Sequence, residues 1–172
     1  MRSSLFAALA AGIVALSPHT AFAQARFGIA AGYVAPVSDL GDDVDPGYNF
    51  AASLNFGGTH VPIGARVEGA FNGFNLKNSS ADVRILDLTV NAIANIGQRP
   101  TSPYVIGGLG IYNSKHGDFD SKTEVGINLG GGLRFPVGDM TTFLEARYHL
   151  MFGDRTDFAN NHFIPISFGV VF

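Results

Sequence analysis

Two pairs of oppositely charged residues lie in separate segments of this chain. Arg66 and Glu68 lie two residues apart, and Glu145 and Arg147 have the same spacing with the opposite order of charge. Residues two apart in a β-strand point to the same face, so the members of each pair share a face. Because buried charges must be paired and hydrogen-bonded, the pairs predict either a polar network that fills an interior or a path for protons or ions.

Other ionisable residues fall on the same register of their segments. We assign four of them to the same interior network: Asp87, Glu124, Arg134 and His149. There is no G-x-S-x-G motif for a nucleophilic serine. The acidic cluster at Asp42, Asp43 and Asp45 lacks the alternating ligands and distal glutamate of a calcium loop. The sequence therefore predicts no catalytic residue, no cofactor and no metal site.

The composition limits the class of protein that can carry these residues. The chain has 172 residues, 47% hydrophobic and 15% charged, against about 25% charged in an average soluble domain. No apolar run reaches the roughly 20 residues of a membrane helix, and there is no cysteine for a disulfide framework. The net charge of −3 gives no reason to expect nucleic-acid binding. The composition is apolar, yet the apolar residues are dispersed along the chain. This combination favours a transmembrane β-barrel.

Residues 1–23 have the pattern of a secretory signal peptide. Arg2 supplies the positive start, residues 5–16 form an apolar core, and Ala21-Phe22-Ala23 gives a small-x-small cleavage site. We therefore predict two parts, a signal peptide over 1–23 and a barrel domain over 24–172.

Alternation of apolar and polar residues dominates the remaining chain. In the stretch from Leu86 to Ile96, for example, every second residue is apolar, whereas a helix would repeat every three or four positions. Eight such segments can be recognised: 26–36, 47–57, 62–73, 83–96, 103–112, 123–135, 141–152 and 162–172. Their lengths suit tilted strands that cross a bilayer. The segment 103–112 is too rich in glycine to show which of its faces is which.

The connections between these segments predict the orientation of the chain. They hold 10, 4, 9, 6, 10, 5 and 9 residues, so that long and short connections alternate. Membrane barrels make long loops outside and short turns in the periplasm. The fold class predicted is all-β, an eight-stranded antiparallel up-and-down transmembrane β-barrel with both ends of the mature chain periplasmic.

Alternation also fits a soluble lipocalin-like binder, whose apolar face points inward. Here the polar face consists mainly of small residues, and the whole chain contains only three lysines and three glutamates. A water-facing exterior would be rich in both. Small residues with a few long charged ones suit the narrow interior of an eight-stranded barrel. Aromatic residues near segment ends would form the girdles at the membrane interfaces: Tyr48, Phe56, Phe135, Tyr148 and Phe152.

The last segment carries the most specific pattern. It reads HFIPISFGVVF, and its alternating apolar positions are Ile164, Ile166, Phe168, Val170 and Phe172. This pattern resembles the signal by which bacterial outer-membrane barrels are recognised and inserted. The chain from residue 24 onward resembles the small eight-stranded barrels of the outer-membrane protein A/X and opacity-like superfamily. The resemblance implies contact with the barrel assembly machinery, with outer-membrane lipid and with lipopolysaccharide. We also expect the protein to be a monomer in the outer membrane.

Enzymes exist among outer-membrane barrels of this size. The lipid A deacylases resemble this chain in length and in an aromatic C-terminus, and they use a histidine and a serine two residues apart on one strand. None of His60, His116, His149 and His162 is followed by a serine two positions later. We therefore expect a non-catalytic envelope or surface-interaction protein. The alternative is a narrow pore or conduit for small or hydrophobic solutes.

The expected surface role depends on acidic loops. Nine of the eleven aspartates lie in the long connections: Asp39, Asp42, Asp43, Asp45, Asp82, Asp118, Asp120, Asp154 and Asp157. They could bind a partner, or bridge to lipopolysaccharide through divalent cations. Turn chemistry and solvation would also explain them, because aspartate favours turns.

Overall fold

A computed structural model describes residues 25–37, 40, 44–57, 62–76, 82–97, 99, 101–116, 121–153 and 162–172. Eight strands account for most of them: β1 (Arg26–Val37), β2 (Val44–Phe56), β3 (Ile63–Leu76), β4 (Asp82–Asn95), β5 (Ser102–His116), β6 (Lys122–Val137), β7 (Met140–Phe152) and β8 (His162–Val171). No helix within the described ranges is long and apolar enough to cross a membrane.

The eight strands form one closed barrel. Each strand pairs antiparallel with the next along the chain, and β1 pairs with β8. Closure satisfies every strand edge, which explains why a chain of alternating segments can be stable in lipid. The fold class predicted from the sequence is confirmed.

The barrel is strongly sheared. Following directly paired residues from Arg26 on β1 through all eight strands leads back to Pro36 on β1, ten residues further along. With the usual spacing and rise of strands, this stagger tilts each strand by about 40° from the barrel axis.

The strict alternation of long and short connections is wrong. The strand bounds leave connections of 6, 6, 5, 6, 5, 2 and 9 residues. Several strands extend past the last alternating residue: β3 continues to Leu76 and β5 to His116, and β2 begins at Val44. Two of the added residues, Val44 and Phe74, pack inside the barrel, and their strands stay paired there. Near its start β2 also contains a bulge between Asp45 and Tyr48, where Pro46 and Gly47 read as a turn in the sequence.

Three connections carry the backbone signature of tight turns. Gly57, Gly97 and Gly138 have φ values of 86°, 92° and 60°, which a residue with a side chain rarely adopts. They lie at the end of the barrel where β1 begins and β8 ends, which we call the turn end. The opposite end, which we call the loop end, includes the nine-residue connection after β7.

The outward face is apolar along every strand. On β4, Leu86, Leu88 and Val90 are each about half exposed, whereas the intervening residues are buried. Aromatic residues also point outward near strand ends, and Tyr48 packs against Phe50 and Phe71. Only lipid can cover such a surface favourably.

Candidate functional site in the barrel lumen

The two charged pairs meet across the lumen. The Arg66 Nη1 atom lies 3.1 Å from Glu145 Oε1 and 3.0 Å from Glu145 Oε2. The Arg147 guanidinium contacts Glu68 and also lies 2.9 Å from Glu145, and Arg66 lies 3.4 Å from Glu68. Because β3 and β7 lie on opposite sides of an eight-stranded barrel, these four residues form a bridge across its interior. We call them the charged tetrad.

The tetrad is almost completely buried. The exposed fractions are 1% for Arg66, 2% for Glu68, 4% for Glu145 and 7% for Arg147. Two positive and two negative charges balance, which is the condition under which buried charge is tolerated. Removing one partner would leave a net charge in the lumen.

Neighbouring strands orient the tetrad. Asn55 on β2 accepts a 2.9 Å hydrogen bond from Arg66 Nε, and the Tyr104 hydroxyl donates a 2.5 Å bond to Glu145. The guanidinium of Arg66 also lies 4.8 Å from the ring centre of Phe143. These contacts restrict Arg66 and Glu145 to one geometry.

The sequence did not predict that Tyr104 faces the lumen, because the glycines of its segment interrupt the alternation of apolar and polar residues. The structure shows that the even-numbered residues of β5 face inward, including Tyr104 and Tyr112. Gly132 on β6 provides the space for Tyr104, since a Cβ atom there would lie 2.6 Å from the tyrosine hydroxyl. One sequence feature could have indicated the inward position of Tyr104: bulky aromatic residues on its segment are matched by glycines on the next segment.

An apolar cluster packs inside the lumen on each side of the tetrad. Toward the turn end lie Ile93, Tyr104, Ile106, Phe143 and Val171. Toward the loop end lie Val34, Leu40, Val44, Phe74, Val83, Ile85, Tyr112, Met151 and Phe163. The lumen is therefore layered, with charge between two packed apolar groups.

Asp87 and His149 belong to a separate polar layer nearer the loop end. Asp87 accepts a 2.9 Å hydrogen bond from Asn72, which also accepts one from Asn49. His149 Nδ1 lies 3.0 Å from the Tyr112 hydroxyl, and its ring stacks on Phe163 at 4.7 Å. These hydrogen bonds run to Asn72 and Tyr112 rather than to the tetrad.

Glu124 and Arg134 lie away from the tetrad at opposite ends of β6. Glu124 is 3.0 Å from the Lys122 ammonium near the loop end. Arg134 donates a 2.7 Å bond to Asn95 and lies over the Tyr104 ring at 4.6 Å near the turn end. The alternation places both residues on the inner face, but the length of the strand separates them.

The residues of the expected insertion signal face outward on β8 and at Phe172, which directly follows it. Ile166, Phe168 and Phe172 are about half exposed, and Ile164 and Val170 are partly covered by neighbours. This places them on the lipid-facing surface. Their recognition by an assembly machinery stays a prediction.

The geometry offers little for catalysis within the described residues. His149 is enclosed between aromatic rings, with Met151 two positions later. Ser114 precedes His116 by two residues on β5, in the reverse of the order considered in the sequence, but the Ser114 side chain is buried in the lumen. The described ranges contain no group of three acidic, histidine or cysteine side chains placed to hold a metal.

Two of the nine aspartates expected in the long connections lie within the described residues. Asp45 and Asp82 are exposed at the loop end, and Asp82 lies 3.8 Å from Arg84. The other expected acidic positions lie outside the described residues: Asp39, Asp42, Asp43, Asp118, Asp120, Asp154 and Asp157.

Comparisons with known proteins agree on one architecture. A family model described as "Outer membrane protein beta-barrel domain" matches residues 6–172. Neisserial surface protein A is 19% identical, covers 86% of this chain and 95% of its own, and superposes with a TM-score of 0.73. Ail, the attachment invasion locus protein of Yersinia pestis, is 20% identical, with coverages of 87% and 99% and a TM-score of 0.51.

A more distant structure has the same fold. A major outer membrane protein from Thermus thermophilus is 11% identical, with coverages of 86% and 98% and a TM-score of 0.55. No curated protein sequence matches the chain. At these identities the solved structures show a shared barrel fold.

Proposed function

Because this chain belongs to the outer membrane protein β-barrel family, we propose that it is a closed, non-catalytic barrel that anchors a surface for interaction at the cell exterior. Its location in the outer membrane follows from the family. The surface-interaction role is the part that we propose, and it depends on whether a solute can pass through the lumen.

The observation that carries the proposal is the layered lumen. The charged tetrad spans the interior from β3 to β7, and an apolar cluster lies on each side of it. The interior of an eight-stranded barrel is just wide enough for side chains to fill it. A solute would have to displace paired charges and packed aromatic rings, so the function is expected at the ends of the barrel rather than through it.

The outer end is proposed to be the loop end. Glycines with positive φ mark tight turns, and Gly57, Gly97 and Gly138 all lie at the turn end. The nine-residue connection after β7 lies at the loop end, and the longer loops of such barrels face the cell exterior. The connections 38–43, 77–81, 117–121 and 153–161 would then face outward. Their acidic residues would give this surface its chemistry. Two structural neighbours, described as a surface protein and an attachment invasion locus protein, make a surface role a reasonable choice.

Export and insertion complete the proposal. The chain is proposed to be cleaved after Ala23, to reach the barrel assembly machinery through the outward-facing residues of β8, and to act as a monomer in contact with lipopolysaccharide. The alternating apolar pattern of β8 supports the second step.

Conductance in planar lipid bilayers tests the closed lumen. The refolded barrel should show no discrete current steps under conditions in which an open porin conducts. The double variant Arg66→Met, Glu145→Leu should also be silent, because it replaces two charges and keeps the volume filled. Steps from the wild-type barrel would support the conduit instead. Steps from the double variant alone would show that the charges, and not the packing, close the lumen.

A further inference from the structure

Two cations face one another on the outside of the barrel at its loop end. Arg84 on β4 is directly paired in register with Lys115 on β5, and both occupy outward-facing positions. The Arg84 side chain is 61% exposed, and Lys115 is exposed as well. Side chains directly opposite on paired strands lie within reach of one another.

The position of the pair along the barrel is defined by the apolar residues of β4. The outward residues run from Ile96 near the turn end to Leu86, and the next outward residue is Arg84. Ten residues on a strand tilted by about 40° rise by about 25 Å, which is the height of the apolar band in outer-membrane barrels. Arg84 and Lys115 therefore lie just beyond the band, at the level of lipid headgroups.

The pair has an excess of positive charge. Like charges directly opposite on neighbouring strands destabilise their pairing. The Asp82 carboxylate lies 3.8 Å from Arg84, and both side chains are more than half exposed. One carboxylate for two cations leaves a charge of +1 among these three described residues.

Other strands differ near the loop end. Their outward positions there include Phe152 on β7, Ile164 on β8, Tyr48 on β2 and the imidazole of His162, which contacts Tyr148. Within the described ranges, Arg84 and Lys115 are the only arginine and lysine directly paired across neighbouring strands.

We propose that Arg84 and Lys115 together bind a phosphate group on the headgroup of an outer-leaflet lipid, namely the phosphorylated glucosamine of lipopolysaccharide. A guanidinium binds phosphate through two parallel hydrogen bonds, and an ammonium adds a point charge. One bound phosphate would neutralise the repulsion between the two side chains. The proposal rests on the proposed function for the orientation of the loop end toward the outer leaflet.

Native mass spectrometry of the folded barrel in detergent can measure this binding. The probes are bisphosphorylated lipid A, the same lipid without its phosphates, and phosphatidylglycerol. Arg84→Gln and Lys115→Gln should each weaken binding of bisphosphorylated lipid A about fivefold, and the double variant about 25-fold. Asp82→Asn should strengthen it. Arg99→Gln is the matched control, because Arg99 is exposed in a turn at the other end.

Heat-modifiable gel mobility should show that all the variants remain folded. Equal binding of the lipid with and without phosphates would overturn the proposal, as would an equal loss in Arg99→Gln. Preference for phosphatidylglycerol would overturn the assignment to lipopolysaccharide. An open lumen would appear in the bilayer conductance, and an inverted barrel in the labelling of single cysteines on intact cells, so a failure of lipid binding is distinguishable from a failure of the proposed function.

Discussion

Replacing one member of the charged tetrad should lower the free energy of unfolding more than replacing two oppositely charged members together. In Arg66→Met, the lumen loses the contacts of 3.0 and 3.1 Å to Glu145 and the 3.4 Å contact to Glu68. Glu145 keeps its 2.9 Å contact with Arg147, so the expected loss of unfolding free energy is at the lower end of the range for a broken buried pair, about 3 kcal/mol. In Glu145→Leu, Arg66 retains Glu68 and Asn55, and the expected loss is similar.

The double variant should be milder than either single one. With Arg66 and Glu145 both replaced by apolar residues, Arg147 and Glu68 remain as a neutral pair in direct contact. The expected loss is then about 2 kcal/mol, which gives a coupling of about 4 kcal/mol, because each single variant leaves a buried charge without its full balance.

Urea unfolding in detergent micelles would measure these free energies. Arg99→Met, at an exposed turn residue, is the control and should change the free energy little. If the losses of the two single variants simply add, the two residues do not depend on one another, and the reasoning about the tetrad is refuted.

Three further predictions concern the faces, the packing and the topology. Leu88→Arg, on the lipid-facing side, should destabilise the barrel by about 2–4 kcal/mol, whereas Asn91→Ser in the lumen should be tolerated; equal tolerance in an assembly assay would mean that the faces are reversed. Gly132→Ala should lower the free energy of unfolding in urea by about 1–3 kcal/mol, because its methyl group would lie 2.5 Å from the Leu144 carbonyl oxygen. Gly69→Ala is the control, because its methyl group would have its nearest contact at 3.9 Å. An equal loss in the control would contradict the steric argument. Single cysteines replacing Asp120 or Asp157 should react with an impermeant reagent on intact cells, and one replacing Asp139 should not; the opposite pattern would invert the barrel.

The sequence by itself determined the strand content, the faces and the charge inside. A period of two is a local property, so Leu88 and Asn91 are assigned to opposite faces by parity alone. The spacing of Arg66 with Glu68 and of Glu145 with Arg147 is local too, and it was sufficient to place both pairs on inner faces.

Only the tertiary structure decided which inner residues meet. Contacts across the lumen depend on the stagger of ten residues around the closed barrel. The sequence of a single strand does not specify this stagger, because it arises from the pairing of all eight strands. The stagger brings Arg66 to Glu145 and leaves Glu124 and Arg134 at the two ends of β6. The register of β5 was hidden for the same reason: glycine occurs on both of its faces, so pairing with β4 and β6, and not side-chain alternation, directs Tyr104 inward.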